Sequence, residues 1–306
     1  MPYSEIKEKF IREYPSSIKT SGIFGALYSF EESYEGKDIC LIPIENVVEY
    51  LPSILSIKFS TRITQLSMLN LYTHWRIKNG YPVRDEYLNY NWQQLRDISN
   101  TDKIKAKYVG NPQQFQQVLD AVFDPENLNT VDITRRCALW MAYIGIQECT
   151  AVSRIDISDV NVRASYIKFC DRKLSFPKEA KYVITKCAEA KEFIYIHPNY
   201  TTSRQRCGGT QLLRGFKPFI DTKIYDISKM VKRAGFEMAY TDMFYSGVFY
   251  RLHQQETAGI PIDFPFVAND LYLLSNTNKP NVKGVAAPIK AQVLEADYQK
   301  WKSVFS

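Results

Sequence analysis

The side chains with the clearest chemical potential in this chain are cationic, and they are concentrated in one stretch. Between Arg163 and Arg233 there are 16 Lys and Arg residues against 6 Asp and Glu residues, whereas the first hundred residues carry 11 against 12. Cations at this density favour a polyanionic partner, most often nucleic acid. The same composition also suits a solvated basic face that has no partner.

Two parts of this stretch present cations that could bind phosphate oxygens. Arg172 and Lys173 lie at a predicted tight turn, and Thr201–Arg206 is a basic, hydroxyl-rich segment that we predict to be a loop. Such side chains are the usual donors to DNA phosphates. The alternative for Thr201–Arg206 is a flexible surface loop without a ligand. The candidate DNA contacts in the second half of the chain are Arg172, Lys173, Arg204, Arg206, Arg214 and Lys232.

The residues that could bind a metal or form disulfides lack the spacing that either would need. The six cysteines include no Cys-x-x-Cys pair, and His74, His197 and His253 are far apart. We therefore expect no zinc site and no cofactor, and we expect the cysteines to be reduced thiols.

Two short segments have an order and spacing that point to a known family. Leu139–Gln147, the first segment, is an apolar helix pattern that ends in Gly-Ile-Gln, and Thr241–Gly247, the second segment, opens another helix. They resemble the catalytic boxes of the phage integrase, or tyrosine recombinase, family, in which the first ends in Gly-apolar-Arg and the second reads His-x-x-Arg-x-Ser/Thr. The resemblance covers nearly the whole chain.

The resemblance implies that three catalytic positions are degenerate. Gln147 stands at the first arginine position, Thr241 at the histidine and Phe244 at the second arginine. No histidine in the chain is followed by arginine three residues later, so the second box is not merely shifted. Guanidinium groups stabilise the charge of phosphoryl transfer, and losing one such donor typically costs about 10²–10³ in rate. We therefore predict that the protein is not an enzyme.

Two further positions follow from the same resemblance. Tyr298 is the candidate for the family's nucleophile, although it lies later after the second segment than is usual. The alternative is an aromatic side chain that packs against Trp301 and Phe305. Lys173 stands at a position like the family's hairpin lysine, which could remain as a DNA contact.

The first hundred residues supply a second set of candidate DNA contacts, chosen because they are basic or polar and lie off the apolar helix stripes. These are Lys19, Thr20, Lys58, Arg62 and Gln65. Ser60 is predicted to cap a helix over Thr61–Ile77, with Arg62 and Gln65 exposed near its start. There they could read guanine and adenine edges in a major groove. The alternative is an ordinary solvated helix surface.

Hydrophobic periodicity predicts a mostly α fold with a small antiparallel β-sheet, formed by Ile155–Val162, Tyr166–Phe169 and Lys173–Phe176. The resemblance implies a two-domain tyrosine-recombinase-like architecture. Residues 1–100 are predicted to form a helical core-binding-like (SAM-like) DNA-binding domain, 101–112 a linker, and 113–306 a degenerate integrase catalytic-like domain.

The chain has no feature that would direct it to a membrane. No apolar run reaches about 18 residues, and the first ten residues lack the apolar core of a secretory signal. We therefore expect a cytoplasmic protein without a membrane partner.

Together, these observations predict sequence-specific binding of double-stranded DNA without recombinase activity. The combination resembles the integrase-like master repressors of SPβ-type Bacillus prophages, which implies a transcriptional repressor that controls lysogeny from operator sites. Further partners considered are a small regulatory protein or a peptide-controlled antirepressor, and a second copy of the chain through self-association. Two alternatives remain. One is an active tyrosine recombinase with unorthodox catalytic residues, which a strand-transfer assay would distinguish. The other is an interaction protein that kept the fold without binding DNA, which would give no salt-dependent gel shift.

Overall fold

The chain folds into two compact units, Met1–Ile104 (unit 1) and Lys105–Ser306 (unit 2). The computed structural model describes residues 5–15, 22–123, 130–147, 149–170, 172–196, 201–213, 221–275 and 286–306. The described residues are mostly helical, with a small three-stranded antiparallel sheet in unit 2. The predicted combination of many helices and a small antiparallel sheet is therefore confirmed.

Helices with apolar faces form the core of unit 1. They are α1 (Glu5–Glu13), α2 (Ile23–Ser33), α3 (Ile44–Ile54) and α4 (Phe59–Lys78), with 3-10 turns at Ile39–Leu41, Asp85–Tyr87 and Trp92–Leu95. Aromatic side chains from three of these helices meet in the core. The ring of Phe10 lies 5.0–5.7 Å from those of Phe24, Tyr72 and Trp75. Such edge-to-face contacts add to the stabilisation that burial provides.

Helix α4 begins earlier than predicted. Lys58 is its N-cap residue and makes no side-chain capping bond, so the prediction that Ser60 caps this helix is wrong. The predicted end is close to the observed one. Asn79 follows the last helical residue, and Gly80 has a φ of 70°, a left-handed conformation that glycine adopts without strain.

A network of buried charged side chains connects the helices of unit 1. Asp38 accepts a hydrogen bond from the Tyr72 hydroxyl at 2.5 Å and forms a 2.5 Å ion pair with Arg76. The ammonium of Lys7 donates to Glu31 and lies 3.9 Å from Asp38. Burial raises the pKa of Glu31, because desolvation outweighs the attraction of Lys7. Buried charges are costly unless they are paired, so the packing of unit 1 depends on Asp38.

Unit 2 is organised around a helix that is buried on every side. Its helices are α6 (Pro112–Val122), α7 (Thr130–Ile144), α8 (Cys149–Val152), α9 (Lys178–Glu189), α10 (Asp221–Arg233), α11 (Tyr240–Thr257), α12 (Phe264–Ser275) and α13 (Ala286–Phe305), and α5 (Thr101–Lys107) spans the boundary between the units. From Cys137 to Ile144 every residue of α7 is at most 2 % exposed. A helix that is apolar on all faces forms the centre of a core.

Gly247 allows α11 to pack closely against α7. A Cβ atom at position 247 would lie inside the van der Waals radius of the Tyr143 carbonyl oxygen. The same region contains two hydrogen bonds between the helices, from the Tyr240 hydroxyl to the Ile146 carbonyl at 3.0 Å and from Arg251 to the Tyr143 carbonyl at 2.9 Å. These contacts place the first turn of α11 beside the end of α7.

Gly247→Ala is therefore expected to lower the free energy of unfolding of unit 2 by about 3 kcal/mol, because a backbone atom cannot move aside as a side chain can. Urea unfolding followed by circular dichroism measures this loss. Gly208→Ala is the matched control, since a Cβ there would meet no atom within 4 Å. Equal stability of the two variants would contradict the close packing of α7 and α11.

The three-stranded sheet agrees with the prediction at two of its strands. The strands are β1 (Val160–Asn161), β2 (Tyr166–Phe169) and β3 (Arg172–Ser175), paired antiparallel in the order β1-β2-β3. The first strand is much shorter than the predicted Ile155–Val162. The reason is a 3-10 turn at Ile157–Asp159, which a capping box between Asp156 and Asp159 stabilises.

Several elements lie where the sequence analysis predicts none. Thr202–Arg206 forms strand β5, paired antiparallel with β4 (Glu192–Ile196), so the prediction of a loop at Thr201–Arg206 is wrong. Helix α5 lies within the predicted linker, and the boundary between the units falls inside it, after Ile104.

Candidate nucleic-acid interface

The two segments that resemble recombinase boxes meet where α11 begins and α7 ends. The hydrogen bond from Tyr240 to Ile146 brings their neighbours Thr241 and Gln147 to the same region of unit 2. Gln147 is half-buried and Thr241 is exposed. Phe244 is fully buried, with its ring 5.2 Å from that of Tyr245. The three positions that the resemblance singles out therefore carry two neutral polar side chains at the surface and one aromatic ring in the core.

Arg251 is a cation near these positions that the sequence analysis did not select as a site residue. It is half-buried, donates to the carbonyl of Tyr143 and lies against Gly145. Burial lowers the pKa of its guanidinium to about 10. A cation at a helix C-terminus is favourable, so Arg251 stabilises the end of α7. Arg251 follows Phe244 by seven residues, so the two lie on the same face of the predicted helix. This spacing is the sequence signal that could have identified Arg251.

Tyr298 lies in the core of unit 2 with its hydroxyl hydrogen-bonded. The side chain is fully buried, stacks on Trp301 with ring centres 6.2 Å apart, and donates to Glu256 at 2.6 Å. Burial and this hydrogen bond raise the pKa of Tyr298. Glu256 is also paired with Lys302 at 2.8 Å. A nucleophile has to be exposed and activated, whereas this hydroxyl is buried and harder to ionise.

Lys168 and Lys173 lie directly opposite each other on the exposed face of the β2–β3 hairpin. Their Cα atoms are register partners, and both side chains are exposed. Like charges at directly opposite positions repel, so an anion between them would stabilise the hairpin. The ammonium of Lys173 lies 5.1 Å from the centre of the Tyr166 ring. Within the described residues Lys168 forms no ion pair.

Beside this lysine pair the surface contains a cavity of about 550 Å³. Its lining combines cationic side chains, apolar side chains, one thiol and one carboxylate: Ala151, Arg154, Ile155, Asp159, Lys168, Phe169, Cys170, Arg172 and Lys173. Arg172 forms an ion pair with Asp270 of α12. The structure thus brings together Arg172 and Lys173, which the sequence predicted as DNA contacts, and adds Arg154 and Lys168, which it did not.

The second hairpin presents a pair of arginines. Arg204 and Arg206 are register partners of Ile194 and Glu192, so the four residues share one face of the β4–β5 hairpin. Both arginines are exposed, and Arg204 lies 4.0 Å from Glu192. An exposed ion pair of this length contributes little free energy. Both guanidinium groups can therefore bind an anion.

The prediction that Arg62 and Gln65 lie on an exposed helix face is wrong. Their exposed fractions are 2 % and 7 %. Arg62 donates to the Ser56 carbonyl at 2.8 Å, and Gln65 accepts from the Ser56 backbone N–H at 2.8 Å. Both side chains form hydrogen bonds with backbone groups of the segment before α4. Helical periodicity cannot predict such bonds, because they join the helix to residues outside it. Neither can read a base edge in this conformation.

Of the remaining candidates, the structure describes Lys58 and Lys232, which belong to different units. Lys58 is half-buried at the N-cap of α4, and Lys232 is exposed in the last turn of α10. Lys19, Thr20 and Arg214 lie outside the described residues.

Among the described residues no group of three His, Cys, Asp or Glu side chains could hold a metal ion. None of their helices is long and apolar enough to cross a membrane. Among the described residues, five cysteines form no disulfide: Cys40, Cys137, Cys170, Cys187 and Cys207.

Sequence comparison adds no assignment to this geometry. No family model matches the chain, and no curated protein matches its sequence.

Proposed function

We propose that this protein binds double-stranded DNA through unit 2 without cleaving it, and that it acts as a transcriptional repressor. The observation that carries the proposal is the cross-strand pair of Lys168 and Lys173, two exposed cations opposite each other beside a cationic cavity. Backbone phosphates neutralise such pairs, and the release of counterions then favours binding.

An extended polyanion fits the distribution of charge better than a small one does. Exposed cations occur on several elements of unit 2 rather than in one cluster: Arg163, Lys168, Lys173, Lys178, Lys181, Lys186, Lys191, Arg204, Arg206, Lys229, Lys232 and Arg233. A duplex carries one negative charge for about every 1.7 Å of its axis, so it can meet cations on more than one hairpin.

Cleavage is not expected, because neutral residues stand at the positions of the catalytic cations and the candidate nucleophile is already hydrogen-bonded. Gln147 can offer one neutral hydrogen bond to a phosphate, and buried Phe244 can offer none. Loss of each cationic donor costs about 10²–10³ in rate. The hydroxyl of Tyr298 is already donated to Glu256 inside the core.

The role of repressor, and the control of lysogeny in a prophage, are supported by the resemblance to integrase-like repressors. A repressor has to occupy its operator and needs no strand transfer, so the loss of catalytic side chains is compatible with this role. An antirepressor, either a small protein or one controlled by a peptide, and self-association on the operator belong to the same proposal.

A two-step experiment tests the proposal. Fragments of the genome that encodes the chain are first selected by binding to the full-length protein, and nicked suicide substrates are then made from the selected sites. We expect tight binding and no covalent product, because the nucleophile and its cationic partners are unavailable. A denaturant-stable adduct that disappears in Tyr298→Phe would contradict the proposal, and so would the failure to select any fragment.

A further inference from the structure

The cavity beside the β2–β3 hairpin is larger than a single phosphate contact requires. It lies between α8 and the hairpin and has a volume of about 550 Å³. This is within the range of roughly 300–1,000 Å³ in which proteins bind small molecules. Ala151, Ile155 and Phe169 supply apolar wall, whereas cations supply much of the remainder.

Three cations that line the cavity form no ion pair with a carboxylate of the described residues, namely Arg154, Lys168 and Lys173, whereas Arg172 is paired with Asp270. Arg154 and Lys168 are exposed, and the ammonium of Lys173 lies over the ring of Tyr166. Asp159 is the one acidic residue among the described lining residues, and its carboxylate already accepts from the Asp156 backbone N–H at 3.3 Å. An anionic group is therefore the ligand chemistry that the cavity favours.

We propose that this cavity binds a phosphorylated small molecule of mononucleotide size. Its phosphate would lie among Arg154, Lys168 and Lys173, and its flat, less polar part against Ile155 and Phe169. A phosphate of the DNA backbone would meet the exposed lysines but would leave the apolar wall uncovered. A ligand with both parts matches both kinds of wall.

Binding of such a ligand would control DNA binding. Lys168 and Lys173 serve both partners, so the small ligand and the duplex compete for them. This consequence rests on the proposed function, whereas binding of the small ligand does not depend on DNA. The cavity would thus give the protein a small-molecule effector site.

Isothermal titration calorimetry of the full-length protein without DNA tests the site. The probes are the four ribonucleoside 5′-monophosphates, with the corresponding nucleosides and inorganic phosphate as comparison. We expect at least one monophosphate to bind with a Kd on the order of 10–100 µM, a value reasonable for a ligand of this size. Its nucleoside and inorganic phosphate should each bind at least about tenfold more weakly.

A matched pair of variants ties binding to the cavity. Arg154→Gln should weaken the monophosphate about tenfold or more, because it removes a charged donor to the phosphate. Arg12→Gln should leave binding unchanged, since Arg12 is exposed in unit 1 and does not line the cavity. Both residues are at the surface, so both variants are expected to fold.

The outcomes that overturn the inference are distinct. Equal binding of inorganic phosphate would mean that the apolar wall plays no part, and equal binding of the nucleoside that the cations play none. Absence of binding by all four monophosphates, or an unaffected Arg154→Gln variant, also overturns it. If the protein binds duplex DNA and no monophosphate, only this inference fails; if it binds a monophosphate and no duplex, only the proposed function fails.

Discussion

Replacing Asp38 by asparagine is expected to lower the free energy of unfolding of unit 1 by about 3–5 kcal/mol, because it leaves buried cations uncompensated. Arg76 loses its ion-pair partner, and Lys7 loses one of its two nearby carboxylates. For a unit of this size the loss corresponds to a fall in melting temperature on the order of 10–20 °C. Thermal unfolding followed by circular dichroism provides the measurement.

Asp97→Asn is the matched control for this prediction. Asp97 also pairs with an arginine, Arg96, but both side chains are largely exposed, at 75 % and 60 %. Exposed pairs contribute little, so this variant should unfold close to the parent. If Asp38→Asn were as stable as Asp97→Asn, the buried network would not be what holds the helices of unit 1 together.

The second large effect is expected in DNA binding. The double variant Lys168→Glu with Lys173→Glu should bind duplex DNA about 100-fold more weakly at moderate salt, since it replaces two phosphate contacts by two repulsions. Fluorescence anisotropy with a labelled selected duplex measures the change. Both residues are exposed, so the fold should be retained.

A double reversal in unit 1 separates a local effect from a general one. Lys37→Glu with Lys78→Glu changes the net charge by the same amount at two exposed positions outside the proposed interface. We expect it to bind nearly as tightly as the parent. Equal weakening by both double variants would show that only the overall charge matters and would remove the hairpin from the interface.

The helices and the first hairpin could be predicted because their residue patterns are local. Apolar residues recur with the helical period through α4 and α7, and Gly80 marks the end of α4. Alternation in Tyr166–Phe169 indicates β2 in the same way. Each of these signals lies within a few residues of the feature that it predicts.

Features that depend on contacts between distant residues could not be predicted. The positions of Arg62 and Gln65 in the helix pattern suggested an exposed face. In the structure both side chains are turned inward, because they form hydrogen bonds with the backbone of Ser56. Strand β5 is polar, so its own residues do not indicate a strand. The apolar and aromatic run in its partner β4, Glu192–Ile196, is the signal that could have predicted the strand pair. Tertiary pairing, rather than local preference, decided both cases.

The candidate site was predictable only in part, for the same reason. Arg172 and Lys173 were found because they adjoin a turn in a basic segment. Arg154 comes from a different element, and Lys168 looks like any exposed strand residue until its partner across the hairpin is known. A cavity whose wall is assembled from separate elements leaves no spacing in the sequence.

The salt dependence of duplex binding by the full-length protein tests the central claim most directly. Affinity for a selected duplex is measured over a range of monovalent salt concentrations. Contacts from both hairpins, at Lys168, Lys173, Arg204 and Arg206, predict that log K falls with log salt with a slope of about −3 to −4, or steeper if further cations take part. A slope near zero, or no binding to any duplex at low salt, would contradict the claim that unit 2 is a DNA-binding surface.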